Sequence, residues 1–505
     1  MKLLQKIILI LVLLVTYTYS LQLFGETKTS TSSGNWNTPS IWSPAGVPIN
    51  NDTIIIGTGT VVTLDVNTEI INLLTIQSGA TLQGDGTNKV LLIGGANGID
   101  FVNNGTFSAS GTNSLIVRLY NNSEWAGTNP FNCNIVDLNS FTLSFATGGN
   151  LVLNVSGSPE PFINPGSVLS NPSVTIIYNG GSEQTISGNA ISNFHSLTIN
   201  NTAGVTLNSN VTINGLLFLN TGIVTTNSNF LIINQSGSVD RLNGHVNGNL
   251  QKYIGIGTPE LNFEIGDLTT YSPVSLHFDS VTVAGNLRIR SNSVDHPLLS
   301  TSSIDGAKSV NRYWTFTNAG IVFTTYDATF SFVTSDIDAG AYSNAFIAEK
   351  YNGSSWTRLQ TGLLNPTSTE VLNVNEFSDF AIGEIKNYSI IASASNHGSI
   401  NPTGTISVSH GSDQMFTITP DVGCYLDSLV VDGLHVDSTT SYTFKNVTSD
   451  HTISAYFSAT QQTLTISAIN GSVTKNPDQP TYDYGASVQL TAVPDYGYHF
   501  VNWSG

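Results

Sequence analysis

The sequence predicts an all-β chain: a β-solenoid, parallel β-helix-like, followed by a β-sandwich and tandem small β repeat modules. Three observations carry this. In residues 196–240, apolar pairs (Leu197/Ile199, Val205/Leu207, Val211/Ile213, Leu216/Phe218, Leu231/Ile233) alternate with Asn, Thr, Ser and Gly, which is the period of a strand broken by turn residues. Strands this short cannot bury a face alone and must stack on copies of themselves, as solenoid coils do. Second, only 10% of the 505 residues are charged while 40% are hydrophobic, against about 25% charged in ordinary soluble domains. Third, no helix-length apolar periodicity interrupts the stretch.

Residues 1–20 open with Lys2 and Lys6, continue through the apolar run 7–15 and end in small residues, the pattern of a signal peptide. The run is too short to span a bilayer, and no later segment is long and apolar enough, so the mature chain is expected to be exported without a transmembrane segment. The formal net charge is −18. Loss of the leader's two lysines leaves 14 basic against 34 acidic residues, or −20. Such a chain is repelled by phosphate backbones, so nucleic acid is not expected as a partner. The two cysteines, Cys133 and Cys424, are too few for a metal cluster or a CxxC motif and read as small core residues.

Residues 21–250 are assigned to the solenoid. Asn is expected at its corners, where it tolerates left-handed backbone angles and can bond to the adjacent coil. Near the start, Trp36, Trp42, the Gly46-Val47-Pro48 turn and Asp52 precede the first strands. This spacing resembles a segment that begins solenoid-like regions in large secreted proteins of Bacteroidetes-type bacteria. The two tryptophans suit a cap over the open end of the first coil. They are also the best candidate pair for stacking on a glycan. Between residues 157 and 172, four prolines predict an irregular insertion.

Residues 251–384 read as longer strands with hairpin turns, a β-sandwich. Tyr271 with Pro273, Arg312-Tyr313-Trp314, and Phe377-Ser378 with Phe380, Ile382 and Gly383 resemble a module of the same secreted proteins. Phe263-Glu264-Ile265-Gly266 departs from its pattern by placing Glu where Pro is usual.

The C-terminal part repeats. Gly411, Pro420-Asp421 and Gly423 recur 74 positions later as Gly485, Pro494-Asp495 and Gly497, and Gly398-Ser399-Ile400 recurs as Gly471-Ser472-Val473. The two units, residues 388–458 and 463–505, resemble the divergent internalin-type B-repeat, or bacterial repeat domain, a small β module found in tandem on bacterial surfaces. The second unit stops short of the first, so the chain is expected to be a fragment of a longer protein. In this register Cys424 falls opposite Tyr498, an apolar core position.

A hydrolase or lyase needs ionisable groups converging on one substrate. The nine histidines never fall at metal-ligand spacing, and there is no GxSxG, P-loop or GxGxxG. Asp295-His296 and Asp450-His451 read as turn or surface pairs, and Gly84-Asp85-Gly86 and residues 335–340 (SDIDAG) only loosely resemble calcium loops. No catalytic residue, metal or cofactor is expected. Among the tryptophans, Trp36, Trp42, Trp125, Trp356 and Trp503 are candidates for glycan contact, while Trp314 reads as sandwich core. An aromatic contact contributes about 0.5–1.5 kcal/mol beyond area burial, whereas a millimolar complex requires about 4 kcal/mol. A sugar site therefore needs two or three rings on one platform. The expected function is that of an exported, non-enzymatic protein, secreted or on the bacterial cell surface, structural or adhesive in role. Extracellular glycans or surface proteins are its expected partners. The alternative is a polysaccharide-active β-helix enzyme, or the non-catalytic part of a longer secreted enzyme.

Overall fold

The computed structural model describes residues 25–95, 98–109, 114–147 and 151–505, and the expected signal peptide, residues 1–20, lies outside them. The chain is all-β, with a solenoid of about 10 turns. It divides into two compact units, Met1–Leu299 with Ala307–Gly383 and Ser300–Gly306 with Glu384–Gly505.

Most coils of the solenoid place a short strand on each of three faces, and strands of successive coils pair in parallel register. The alternation read from sequence becomes alternating burial: Thr53–Ile56, Leu73–Ile76 and Thr81–Gly84 each bury every second residue. Inward residues form columns. One runs Ile54, Leu74, Phe101, Trp125, Phe145, and a second runs Val62, Leu82, Phe107, Phe131, Leu153, Ile176, Leu197, Leu217. Where these columns meet, Phe101, Phe107, Trp125 and Phe131 fill the interior with ring centroids 4.9–5.3 Å apart.

Corner asparagines reach the neighbouring coil as expected. Asn220 Nδ2 donates to Asn200 Oδ1 at 2.6 Å and Asn234 Nδ2 to Asn214 Oδ1 at 2.9 Å, while Asn229 Nδ2 donates to Leu207 O at 2.8 Å. Coils approach so closely at Gly222 (φ +87°) that a Cβ there would lie 1.8 Å from Asn201 O, which admits only glycine.

The proline-rich stretch is not an insertion. Phe162–Ile163 and Ser167–Val168 complete a coil, and the middle face runs unbroken past it as a ten-stranded sheet. The other two faces each end at this coil and restart one coil later, at Gln184–Ile186 and Asn193–Phe194. Proline supplies no amide donor, so the ladders break where Pro159, Pro161, Pro165 and Pro172 cluster. Individual bonds still bridge the gap, among them Thr185 N to Pro159 O at 2.7 Å and Val168 N to Ala190 O at 2.8 Å.

The solenoid does not end at residue 250. Leu250–Ile254 pairs in parallel with Leu231–Ile233 on one side and antiparallel with Gly285–Asn292 on the other. One nine-stranded sheet thus passes from solenoid to sandwich, and Ile265–Gly266 still adds a parallel strand to His245–Asn247. The sandwich's second sheet comprises Glu260–Phe263, Val274–Phe278, Tyr326–Ser331, Ser368–Val374 and Gln360–Asn365. Trp314, buried as expected, packs against Phe330 between the sheets, and solenoid and sandwich share one hydrophobic core.

The second unit has its own core, built on Ile390, Phe416, Ile418, Leu429 and Ile453 of the first repeat. The repeat register read from sequence is also the pairing register: Gly398 opposes Pro420 and Gly471 opposes Pro494. Gly411 and Gly485 both take positive φ, as do Gly423 and Gly497. Cys424 is half-buried rather than a core residue, because it opens its strand at the sheet's end opposite Ala459; Cys133 is fully buried, and both are free thiols.

Candidate functional site

The structure removes Trp36 and Trp42 as glycan-stacking residues. Their exposures are 1% and 2%, their rings pack edge to face at 5.1 Å, and Trp42 Nε1 donates to Trp36 O at 3.0 Å. Trp42–Ser43 lies antiparallel on Thr27–Ser30 as the two-residue edge of its sheet. Neither indole offers a face to a sugar, since both are consumed in closing the first coil. Trp125 and Trp314 are buried as well, leaving Trp356 and Trp503 as the tryptophans with solvent-accessible rings.

Trp356 lies in an aromatic cluster that the sequence separates widely. The hairpin turn Asn352-Gly353-Ser354-Ser355 makes Tyr351 and Trp356 cross-strand partners. Asn352 Oδ1 accepts the amides of Ser354 and Ser355, each at 3.0 Å, and Gly353 takes φ +95°. Their rings lie 5.1 Å apart at 43°. Behind them His296 sits 5.3 Å from Tyr351, 4.9 Å from Trp356 and 5.0 Å from Tyr313. The imidazole is held at both nitrogens: Leu298 N donates to Nδ1 at 3.1 Å, and Nε2 lies 3.2 Å from Asp379 Oδ2. Trp356 Nε1 donates to Leu298 O at 3.2 Å. His296 is buried, whereas Tyr313, Tyr351 and Trp356 are each half-buried. Asp295-His296 is therefore no surface turn: the histidine anchors the rings. Asp295 faces the other way, its Oδ1 sharing the Ser309 hydroxyl with Asp338 Oδ2 at 3.2 Å each; burial and the Asp338 charge push its carboxyl above the usual range.

A second polar surface crosses the sandwich's five-stranded sheet, where Glu260, His277 and Asp327 are aligned across three strands. Asn262, Ser275, Thr329 and Glu370 form the next row. Together these residues line an open groove of 560 Å³. Asp327 accepts the Asn373 amide and Glu370 the Leu363 amide, each at 2.8 Å. Neither surface is apparent from spacing, because strands distant in sequence assemble both. The signal that was present is local: polar residues at alternate positions of ELNF, VSLHF, YDATFS and STEVLNV, exposed or half-buried in the fold.

The loops that resemble calcium loops have their carboxylates turned onto protein donors. Asp85 accepts from Thr87 Oγ1 and N and faces Lys89; the two Thr87 bonds, with a smaller contribution from Lys89, hold its carboxyl down to about 2. Asp336 bonds the buried Arg312, which also reaches Asp267 at 2.6 Å and Ser291 at 2.8 Å. Asp338 accepts from Ser309 N and Asn311 Nδ2, both at 2.8 Å. In the first repeat, His451 Nδ1 lies 2.7 Å from Asp432 Oδ2 and Asp450 accepts the Ser389 amide at 2.7 Å. Both bonds reach residues distant in sequence, so the pair is no local turn but fixes the start of the strand His451–Ala459.

Residues 388–461 and 462–505 match the Divergent InlB B-repeat domain. No curated protein and no solved structure matches the chain. No helix among the described residues is long and apolar enough to cross a membrane.

Proposed function

We propose that this is an exported, non-enzymatic protein of a bacterial surface, in which a solenoid spacer and its sandwich accompany adhesive repeat modules. The match of the C-terminal residues to a repeat domain typical of surface or secreted bacterial proteins carries this reading. The solenoid adds support. Within residues 196–240 the only ionised side chain is Asp240, and it lies on the exposed last strand, Ser238–Arg241, of the ten-stranded sheet. An ionised group inside a stacked coil would cost several kcal/mol unless paired, on the order of the penalty for a buried charge, and neutral Asn and Thr satisfy the corners without it.

The adhesive part rests on modularity. The first repeat leaves Tyr425 and Tyr456 about half exposed (47% and 48%) on its five-stranded sheet, among Ser and Thr. One such face binds weakly, and tandem copies raise avidity through effective concentration. The purified chain should adhere to bacterial cells, host matrix proteins or immobilised glycans in a solid-phase assay. Adhesion to none of these leaves a spacer role alone.

The rival reading, a polysaccharide-active enzyme, would place its chemistry in the groove of Glu260, Asp327 and Glu370. Release of reducing ends from a polysaccharide panel, abolished in Asp327→Asn, would establish it in place of the adhesive reading.

A further inference from the structure

We propose that Tyr313, Tyr351 and Trp356, braced from behind by His296, form a platform that binds a neutral glycan through the C–H faces of its sugar rings. This deepens the adhesive reading above and depends on it for its biological use. Three aromatic rings converge around one imidazole within 5.3 Å, and all three keep part of their surface in solvent. The imidazole is buried with both nitrogens bonded, so the solvent-facing part of the cluster is made of ring surface. The rings are also fixed before any ligand arrives. Trp356 is tethered through Nε1 to Leu298 O, Tyr351 is set by the Asn352 turn, and His296 is bonded at both nitrogens. Preorganised side chains lose little freedom on binding. Exposed Asn352, Ser354, Ser355 and Arg358 lie beside the rings in the same hairpin, supplying donors and acceptors for sugar hydroxyls. The ligand class rests on net charge: Arg358 is the exposed cation in the hairpin, but with Asp379 28% exposed beside His296 and a chain at −18, uronic or sulfated sugars are disfavoured.

The test uses the full chain carrying Trp503→Phe, so that Trp356 is the accessible indole. Cellohexaose, xylohexaose, mannohexaose and chitohexaose are titrated by tryptophan fluorescence, with polygalacturonate as the anionic comparison. At least one neutral hexasaccharide should shift the emission to the blue, protect it saturably from acrylamide and outcompete polygalacturonate. Trp356→Ala and Tyr351→Ala should each weaken that binding at least tenfold, with Trp356→Phe intermediate. Should the alanine variants melt early, the indole N–H resonance of Trp356 in the parent decides: it must move on titration. Saturable binding that leaves this resonance and the variants' affinity unchanged overturns the platform while the adhesive reading stands. Preference for polygalacturonate overturns the assignment to neutral sugars. Binding to none of the sugars overturns the platform, and the adhesive reading falls with it only if the parent chain also fails to bind cells and matrix.

Discussion

At the scale of single residues, Glu264 shows what the departure from the family-like pattern accomplishes. Its carboxylate is buried and receives Lys252 Nζ at 2.6 Å, while its backbone carbonyl accepts the Val246 amide at 2.9 Å. Burial lowers the Lys252 pKa and the Glu264 charge pulls it back. Removing one partner of such a pair strands the other: Glu264→Gln should cost about 3–5 kcal/mol in urea unfolding. The double change Lys252→Met with Glu264→Leu should cost less than either single change, and additive losses would show that the two do not act as a pair. Asp100 makes the opposite kind of demand. It is 2% exposed, and its Oδ2 finds no hydrogen-bond partner among the described residues. Burial, with a smaller contribution from the Glu124 charge, pushes its carboxyl up to about 6. The folded state therefore holds this proton more tightly than the unfolded chain does. The contribution is fully present below about pH 4 and is lost as pH rises through about 6, an effect of order 1–3 kcal/mol. Asp100→Asn should flatten that part of the profile; an equal slope in parent and variant between pH 4 and pH 7 would refute the assignment. The cysteines differ likewise. Burial pushes the Cys133 thiol up to about 12, while Cys424 is half-buried. In native protein a thiol reagent should modify Cys424 and spare Cys133 until unfolding.

At the scale of elements, coil stacking is the dominant interaction, and its strength is concentrated where aromatic columns meet. Trp125 is fully buried and touches Phe101, Phe131 and Phe145. Trp125→Ala should cost about 3–5 kcal/mol, measured as a shifted urea midpoint. The proline-rich coil illustrates how far a strand pattern can be read. Its short strands, FI and SV, carry too few alternating residues to register as strands in isolation. They adopt strand geometry because the preceding coil offers a ladder to join. Edge protection is likewise an element-scale property. The two-residue strand Trp42–Ser43 blunts one end, and the strand Ser238–Arg241 carries Asp240 and Arg241, with Arg241 stacked 3.5 Å over Tyr271.

At the scale of the molecule, the continuity of solenoid and sandwich has mechanical consequences. Because Leu250–Ile254 belongs to both and one core runs through them, loosening the junction should destabilise the two together. Leu250→Ala should raise hydrogen exchange in the strands of both regions, whereas acceleration confined to one side would show two independent domains. The repeats have a separate core, so their exchange should be unaffected.

The all-β class, the coil texture, the asparagine corners and the repeat register can all be read off the chain. Each of these rests on contacts between residues close in sequence or on a repeat that prints itself twice. The register of the repeats was legible because Gly and Pro mark fixed backbone positions, Gly411 and Gly485 among them. Where the solenoid ends and which aromatics face water depend on long-range packing. Trp36 and Trp42 were the conspicuous pair in the sequence and are buried, while Trp356 gained His296, which also packs on Tyr313, from a loop dozens of residues away. Alternation fixes which side of a strand a residue occupies. Whether that side meets solvent, a neighbouring sheet or the next coil depends on what the rest of the chain packs against it.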